Sequence, residues 1–345
     1  MNAPPLLSLE GVSVSYSTIS GEIGAVSNVT LAIPEGVAIG FVGESGCGKT
    51  TLAKAIIRLL PPNGRIVAGR IYFDGKDLAA LPNRELREIR GRDIALVPQS
   101  AMNSLNPVYR VETQLVETMV VRGGMGRKDA RLRAKDLFQM VGISPARLQD
   151  YPHQFSGGMK QRATIALAMA LTPRLIIADE PTTALDVLVE ARILTLLQRL
   201  KEDHGLTLIY ITHDLSVVSR TCGLMGVMYA GEFVEVGPTW NVVNEPRHPY
   251  TMGLIAAVPR GDDRRWNPVS IPGSPPLLLS PPPGCRFAER CPFAEKKCFD
   301  EHPALRPVGR THLAACHFAD RADEFLDRAR LTDVWRLSLV AQQET

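Results

Sequence analysis

No stretch of this chain approaches the roughly 18 consecutive apolar residues that a bilayer-spanning helix needs, so no transmembrane segment is expected. The first residues, Met1-Asn2-Ala3-Pro4-Pro5, have neither the basic start nor the apolar core of a secretory signal. A basic stripe is missing too. Lys and Arg number 39 against 36 Asp and Glu, mixed along the chain, so the net charge of +3 makes no case for a nucleic-acid partner. Internal repeats and coiled-coil heptads are also lacking. What remains is a cytosolic protein that reaches a membrane only through a partner. Its 345 residues, 45% hydrophobic and 22% charged, suit one large domain with an appendage or two modest domains.

Gly43-Glu44-Ser45-Gly46-Cys47-Gly48-Lys49-Thr50 matches the phosphate-loop pattern G-x-x-x-x-G-K-[ST] at every fixed position. A buried-strand run, 37–42, precedes it. A helical pattern with Leu52, Ala55, Ile56 and Leu59 on one face follows from Thr51. Gly43, Gly46 and Gly48 let the backbone curl, so that the N–H groups from Ser45 through Thr51 and the helix N-terminus point at an anion. Lys49 then reaches the β- and γ-phosphates, and the Thr50 hydroxyl holds Mg²⁺. Cys47 occupies a variable position of the loop and reads first as a small filler; its place beside Lys49 at a helix N-terminus, which favours the thiolate, makes sensitivity to alkylation the alternative.

Apolar runs at 6–16, 30–43 and 70–73 suggest strands. Residues 112–122 and 129–141 carry helical spacing, broken by Gly123-Gly124 and by Gly142. After Ser156 the two patterns alternate: helix to 171, strand 175–178, helix 187–203, strand 207–212. That alternation predicts an α/β fold, a mainly parallel sheet covered on both faces. The proline-rich stretch 272–283 reads as a stiff linker.

The strand Leu175-Ile176-Ile177-Ala178-Asp179-Glu180 ends in two acids. Asp179 sits where a carboxylate steadies Mg²⁺, and Glu180 where a base polarises the attacking water. Just upstream, Phe155-Ser156-Gly157-Gly158-Met159-Lys160-Gln161-Arg162 opens an apolar helix with a serine and two glycines, a second anion-binding N-terminus. One γ-phosphate cannot occupy both cradles. Two subunits paired head-to-tail, each completing the other's site, reconcile them.

In these motifs the chain resembles the ATP-binding subunits of ABC transporters, over residues 6 to about 260. The resemblance implies an ABC-type P-loop ATPase core, a mixed sheet with helices, at 1–260, with a helical subdomain at about 98–170. It implies ATP and Mg²⁺ as ligands. Tyr16 then stacks on adenine, and Gln99 touches Mg²⁺ or water and links the site to the helical insertion. His213 senses the γ-phosphate. Ser156, Gly157 and Gly158 face the opposing subunit's nucleotide, and the loop from Pro181 to Asp186 lets the subunits sense each other. Phe155 and Met159 stand where leucine and glutamine are usual, without removing the phosphate-binding groups.

Three further segments resemble the oligopeptide, dipeptide and nickel importer branch. They are Gln99-Ser100-Ala101-Met102-Asn103-Ser104-Leu105-Asn106-Pro107, then Arg247-His248-Pro249-Tyr250-Thr251 with Ala256 to Pro259, and the tail from Ile271 through Pro292. The branch implies a second, distinct ATPase subunit, two membrane permease subunits and an extracytoplasmic binding protein. The chain would then sit peripherally on the cytoplasmic face of the membrane and energise peptide import, nickel or another solute being the alternative cargo. Soluble ABC ATPases that act on ribosomes or DNA typically carry two cassettes or a coiled coil, and this chain has neither. An ATPase serving iron–sulphur assembly would lack the importer-like segments.

Cys285, Cys291, Cys298 and Cys316 crowd into the region 261–345, the expected linker and cysteine-rich tail. In a cytosolic protein such crowding points to a metal rather than to disulfides. The gaps of five, six and seventeen residues lack the short knuckle of a zinc ribbon, which favours a [4Fe–4S] cluster over zinc. Four ordinary buried cysteines remain the alternative.

Overall fold

The apolar runs 94–97, 175–179 and 207–211 do form strands, and parallel ones. The structure, a computed structural model, describes residues 4–99, 104–183, 185–258, 269–276, 278–279 and 281–335. Residues 100–103, Ala184, Pro259 and part of the proline-rich stretch (Leu277 and Ser280), named above, lie outside the described residues. The chain divides into two compact units. The first comprises the described parts of Met1–Leu7, Ile33–Ala38 and Phe73–Ile211. The second comprises those of Ser8–Ala32, Ile39–Tyr72 and Thr212–Thr345.

In the first unit Leu175–Asp179 lies between Ile94–Val97 and Thr207–Ile211, with Ile177 opposite both Leu96 and Ile209. Both Leu175–Asp179 and Thr207–Ile211 are buried at every residue, as strands covered on two faces must be. The helix Val187–His204 turns Ile193, Leu194, Leu197 and Leu200 inward and ends at Gly205 in the left-handed region, φ 64°. Arg127–Met140 buries Ala130, Ala134, Leu137 and Phe138, the stripe that its spacing predicted. The pattern over 112–122 is only partly α-helical. Val111–Glu117 is α-helix, after which Thr118–Arg122 widens into a π-helical turn. There the Thr118 hydroxyl takes the Gln114 carbonyl, and Gly123-Gly124 follow.

In the second unit a long hairpin, Leu7–Thr18 and Gly21–Ile33, replaces the short runs expected at its start, and its first strand also borders Gly64–Phe73. The expected run 30–43 is thus two strands, parted at Pro34-Glu35-Gly36. Ala38–Val42 runs parallel to Leu224–Tyr229, Phe41 facing Gly226. From there the sheet turns antiparallel, through Glu232–Pro238 to the tail strands Leu313–Ala314 and Arg306–Pro307. The sheet is therefore mixed, and C-terminal residues are built into it. Among the described residues no helix is long and apolar enough to cross a membrane.

A fully buried carboxylate ties the turn before the helix Pro249–Ala257 to this sheet. Glu235 accepts the Arg247 and His248 backbone N–H groups at 2.7 and 3.0 Å, and its Oε1 lies 2.7 Å from His312 Nε2. His248 caps the helix by accepting the Tyr250 N–H at Nδ1, 3.0 Å away. Burial pushes the His248 imidazole down to about 3, so the ring stays neutral in the folded chain, while the unfolded chain takes up a proton near pH 6.5. The stability owed to the neutral ring is complete above pH 6.5 and is lost as the pH falls towards 3. The thermal midpoint should therefore drop over this window. His248→Asn, which keeps an acceptor for Tyr250 without a titrating ring, should flatten the acid limb in calorimetry at several pH values.

Candidate nucleotide site

The phosphate loop belongs to the second unit. Ala38–Val42 is buried throughout and delivers the chain to Gly43, where an added Cβ would stand 2.1 Å from the Met228 carbonyl oxygen. At Gly48, φ 104°, a Cβ would meet the Ala25 carbonyl oxygen at 2.4 Å. Only glycine permits this curl. Gly48 is also the N-cap of the helix Lys49–Ile56, and no side chain caps that end, so its leading N–H groups face the loop's hollow. Lys49 is 5% exposed, with Nζ donating to the Gly43 and Glu44 carbonyls, both at 2.8 Å, and to Cys47 Sγ at 3.3 Å. Tyr16 reaches the same helix, its hydroxyl 3.1 Å from Thr51 Oγ1, while its ring lies against Gly64. His213 is exposed just after Thr212, and Asp214 beside it caps the helix Leu215–Thr221.

The acidic residues belong to the first unit. Asp179 ends its strand at 4% exposure. Glu180 follows with φ 46°, a left-handed conformation that costs a non-glycine residue about 1–3 kcal/mol and aims the side chain away from the strand. Its N–H donates to the Ile211 carbonyl. Its Oε2 accepts from Gln99 Nε2 at 2.9 Å and from Thr183 Oγ1 at 2.8 Å. Gln99, expected at a metal ion or water, here grips the candidate base directly. Ser156 caps the helix Gly157–Ala168, and a Cβ on Gly158 would collide with Val189 at 2.5 Å. Asp186 caps the neighbouring helix through the Val189 N–H and is followed by the exposed side chains of Val187 and Leu188.

Cys285, Cys291, Cys298 and Cys316 line one apolar cavity together with Phe287, Phe293 and Phe318. Backbone N–H groups two residues on, from Phe287, Phe293 and Phe318, point at the sulphurs of Cys285, Cys291 and Cys316. Burial raises all three thiols, to about 11 for Cys285, about 12 for Cys316 and well above the ordinary range for Cys291. Among the described residues no group of three or more Cys, His, Asp or Glu forms a preformed metal-ligand set. The expected [4Fe–4S] or zinc site is thus met by four converging cysteines, not by a finished coordination shell.

Three residues that brace the loop carry no such role in the sequence pattern: Glu44, named only within the motif, and Tyr250 and Arg290, which mark only a branch. At Cys47 the structure favours the small filler over the reactive thiolate. The thiol is buried, and burial pushes it up in spite of the adjacent Lys49 ammonium, which alone would lower it. Native protein treated with iodoacetamide should leave Cys47 unmodified by mass spectrometry, and unfolding should expose it. Rapid native labelling would contradict the burial.

Residues 26–183 match the family model described as ABC transporter, and residues 234–298 match the C-terminal region of oligopeptide/dipeptide transporters. The dipeptide transport ATP-binding protein DppD of Bacillus subtilis is 42% identical over 92% of this chain and 96% of its own length. The oligopeptide transport ATP-binding protein OppD of Salmonella typhimurium is 43% identical over 90% of this chain and 93% of its own. Among solved structures, a dimeric ATP-binding cassette in a post-hydrolysis state with ADP and Pi is 30% identical, with a TM-score of 0.61, over 68% of this chain and 98% of that one. The phosphate loop and the acid pair lie inside the first matched range, and by these matches the chain belongs to the ABC transporter family of ATP-binding proteins.

Proposed function

We propose that this chain is the ATP-hydrolysing subunit of a membrane importer of dipeptides and oligopeptides. The observation that carries the reading is the Glu180 carboxylate, held between Gln99 and Thr183 immediately after the buried Asp179. The phosphate loop, with Lys49 already ringed by acceptors, and the match over 234–298 support it. ATP phosphates exchange with the Gly43 and Glu44 carbonyls at Lys49 Nζ and take the backbone amides from Ser45 to Thr51. Tyr16 stacks on the adenine. Thr50, Asp179 and Gln99 hold Mg²⁺, which neutralises charge on the transferring phosphoryl group when bound. Glu180 orients and polarises the attacking water, and His213 contacts the γ-phosphate. Gln99 serves the metal or water only after leaving Glu180, which makes it the natural reporter of nucleotide to the helical region.

Ser156, Gly157 and Gly158 serve the nucleotide of an opposing ATPase subunit, with Asp186 beside them in the same interface. The exposed Val187 and Leu188 give that interface apolar area. The partner is a distinct homologous ATPase, and the pair sits beneath two permease subunits, fed by an extracytoplasmic binding protein, at the cytoplasmic face of the membrane. In the assembled transporter Glu180→Gln should keep ATP affinity, which rests on Lys49, Thr50 and the loop amides, while lowering turnover by about 100-fold or more. Near-normal hydrolysis by that variant would overturn the role given to Glu180.

The four tail cysteines hold a [4Fe–4S] cluster in the same reading, with zinc as the alternative. The sulphurs share one cavity without closing into a mononuclear ligand group. A cluster and a zinc ion would each take the four thiolates, and the sequence spacing, which lacks a short knuckle, favours the cluster. The N–H groups aimed at three sulphurs and the phenylalanine lining suit thiolates screened from water. Anaerobic purification followed by iron, sulphide and zinc analysis should give about four irons and four sulphides per chain. One zinc, or no metal, would end the cluster reading.

A further inference from the structure

Glu44 of the phosphate loop is held through its backbone and its side chain alike. Its backbone N–H donates to the Tyr250 hydroxyl at 2.9 Å, and its carbonyl accepts from Lys49 Nζ at 2.8 Å. Its carboxylate takes both terminal nitrogens of Arg290, each at 2.9 Å. Arg290 comes from the short turn Ala288–Arg290, between Cys285 and Cys291. Its side chain is 7% exposed, and its other contacts are fixed as well. Nε donates to the Pro272 carbonyl at 2.7 Å, and Nη1 also reaches the Tyr229 hydroxyl at 3.2 Å. The guanidinium carbon lies 5.5 Å from the Tyr229 ring centre and 5.9 Å from that of Phe287. Tyr229 and Phe287 pack edge to face, and Tyr250 lies tilted against both, so three aromatic rings in mutual contact frame the arginine.

A second arginine of the same segment braces the loop from behind. Arg286 donates to the Ala230 carbonyl and to Ser27 Oγ, and pairs with Glu232. Gly231, next to Ala230, donates its N–H to the Cys47 carbonyl at 3.0 Å. The segment thus touches the loop at its second position directly and at its fifth through one intermediary.

We propose that Arg290 is a positioning residue for ATP binding, holding Glu44 so that the loop keeps its open curl and its one carboxylate stays neutralised. The inference rests on the assignment of this loop as the nucleotide site. Two physical effects combine. A bidentate guanidinium–carboxylate pair fixes direction as well as distance, so the Gly43–Glu44 peptide cannot rotate into the space meant for phosphate. An unpaired carboxylate inside a loop built to receive a polyanion would oppose the ligand, and Glu44, its side chain 27% exposed, is only partly screened by water. Lysine can supply the charge but not the two-pronged geometry.

The test is nucleotide binding and steady-state hydrolysis by the assembled transporter. Arg290→Ala should raise the ATP Kd and KM about tenfold while kcat at saturating ATP stays within about twofold. Arg290→Lys should fall between this and the parent. Adding Glu44→Gln to Arg290→Ala removes the stranded charge and should recover part of the lost affinity, which a merely structural staple would not allow. Lys49→Ala serves as the reference. If it leaves ATP binding intact, the site assignment fails. If it abolishes binding while folded Arg290→Ala binds like the parent, this inference alone fails. Equal loss of affinity in the Lys, Ala and double variants, in step with lowered melting temperatures, would also overturn it by reducing Arg290 to a fold contact.

Discussion

An ammonium group withdrawn from water must be surrounded by acceptors, and the phosphate loop is organised around that need. Lys49 lies under the loop with the Gly43 and Glu44 carbonyls and the Cys47 sulphur about its Nζ. The positions 43 and 48 are glycine because a Cβ there would collide with the Met228 and Ala25 carbonyl oxygens. The buried strand before the loop and the uncapped helix after it fix the two ends of the curl. Phosphate oxygens therefore enter a site that already surrounds its cation with oxygen, and binding becomes an exchange of acceptors rather than a desolvation from bulk water.

Glu180 presents the opposite problem, a carboxylate that must be available without being free to wander. Its left-handed backbone turns the side chain off the line of the strand, and Gln99 and Thr183 hold the carboxylate from either side. Strain of this kind persists only where the surroundings over-determine it, and the N–H bond to Ile211 supplies part of that determination. Both of those side-chain donors are neutral, so they orient the carboxylate without supplying a countercharge.

What the sequence makes legible is whatever depends on fixed spacing. The loop, the acid pair and the serine-glycine-glycine helix start are local patterns, and the parallel strands between them follow from apolar run length. The hairpin Leu7–Ile33 was hard to read because its middle is rich in Ser, Thr, Gly and Asn, with much of it facing solvent. Cys47 admits two readings in sequence because its neighbours argue for a thiolate, whereas the burial that decides for a small filler comes from the fold around it. The bond from Arg290 to Glu44 spans 246 positions, and no local pattern can announce it. The Arg247-His248-Pro249-Tyr250 segment was visible as a mark of lineage. Its physical content, a neutral histidine cap and a hydroxyl that receives a loop N–H, needed coordinates.

The tail strand Leu313–Ala314 pairs with Glu232–Pro238, and its histidine neighbour, His312, sits on the buried Glu235. Such a tail is not a module in the evolutionary sense. A recombination that exchanged it between lineages would import half of an ion pair, one strand of a sheet and the partner of an interior carboxylate in a single stroke. Both sides of the crossover would have to match at once. Tail and cassette are therefore constrained to drift together, and a hybrid joined at the proline-rich stretch would inherit its defects at a distance from the seam.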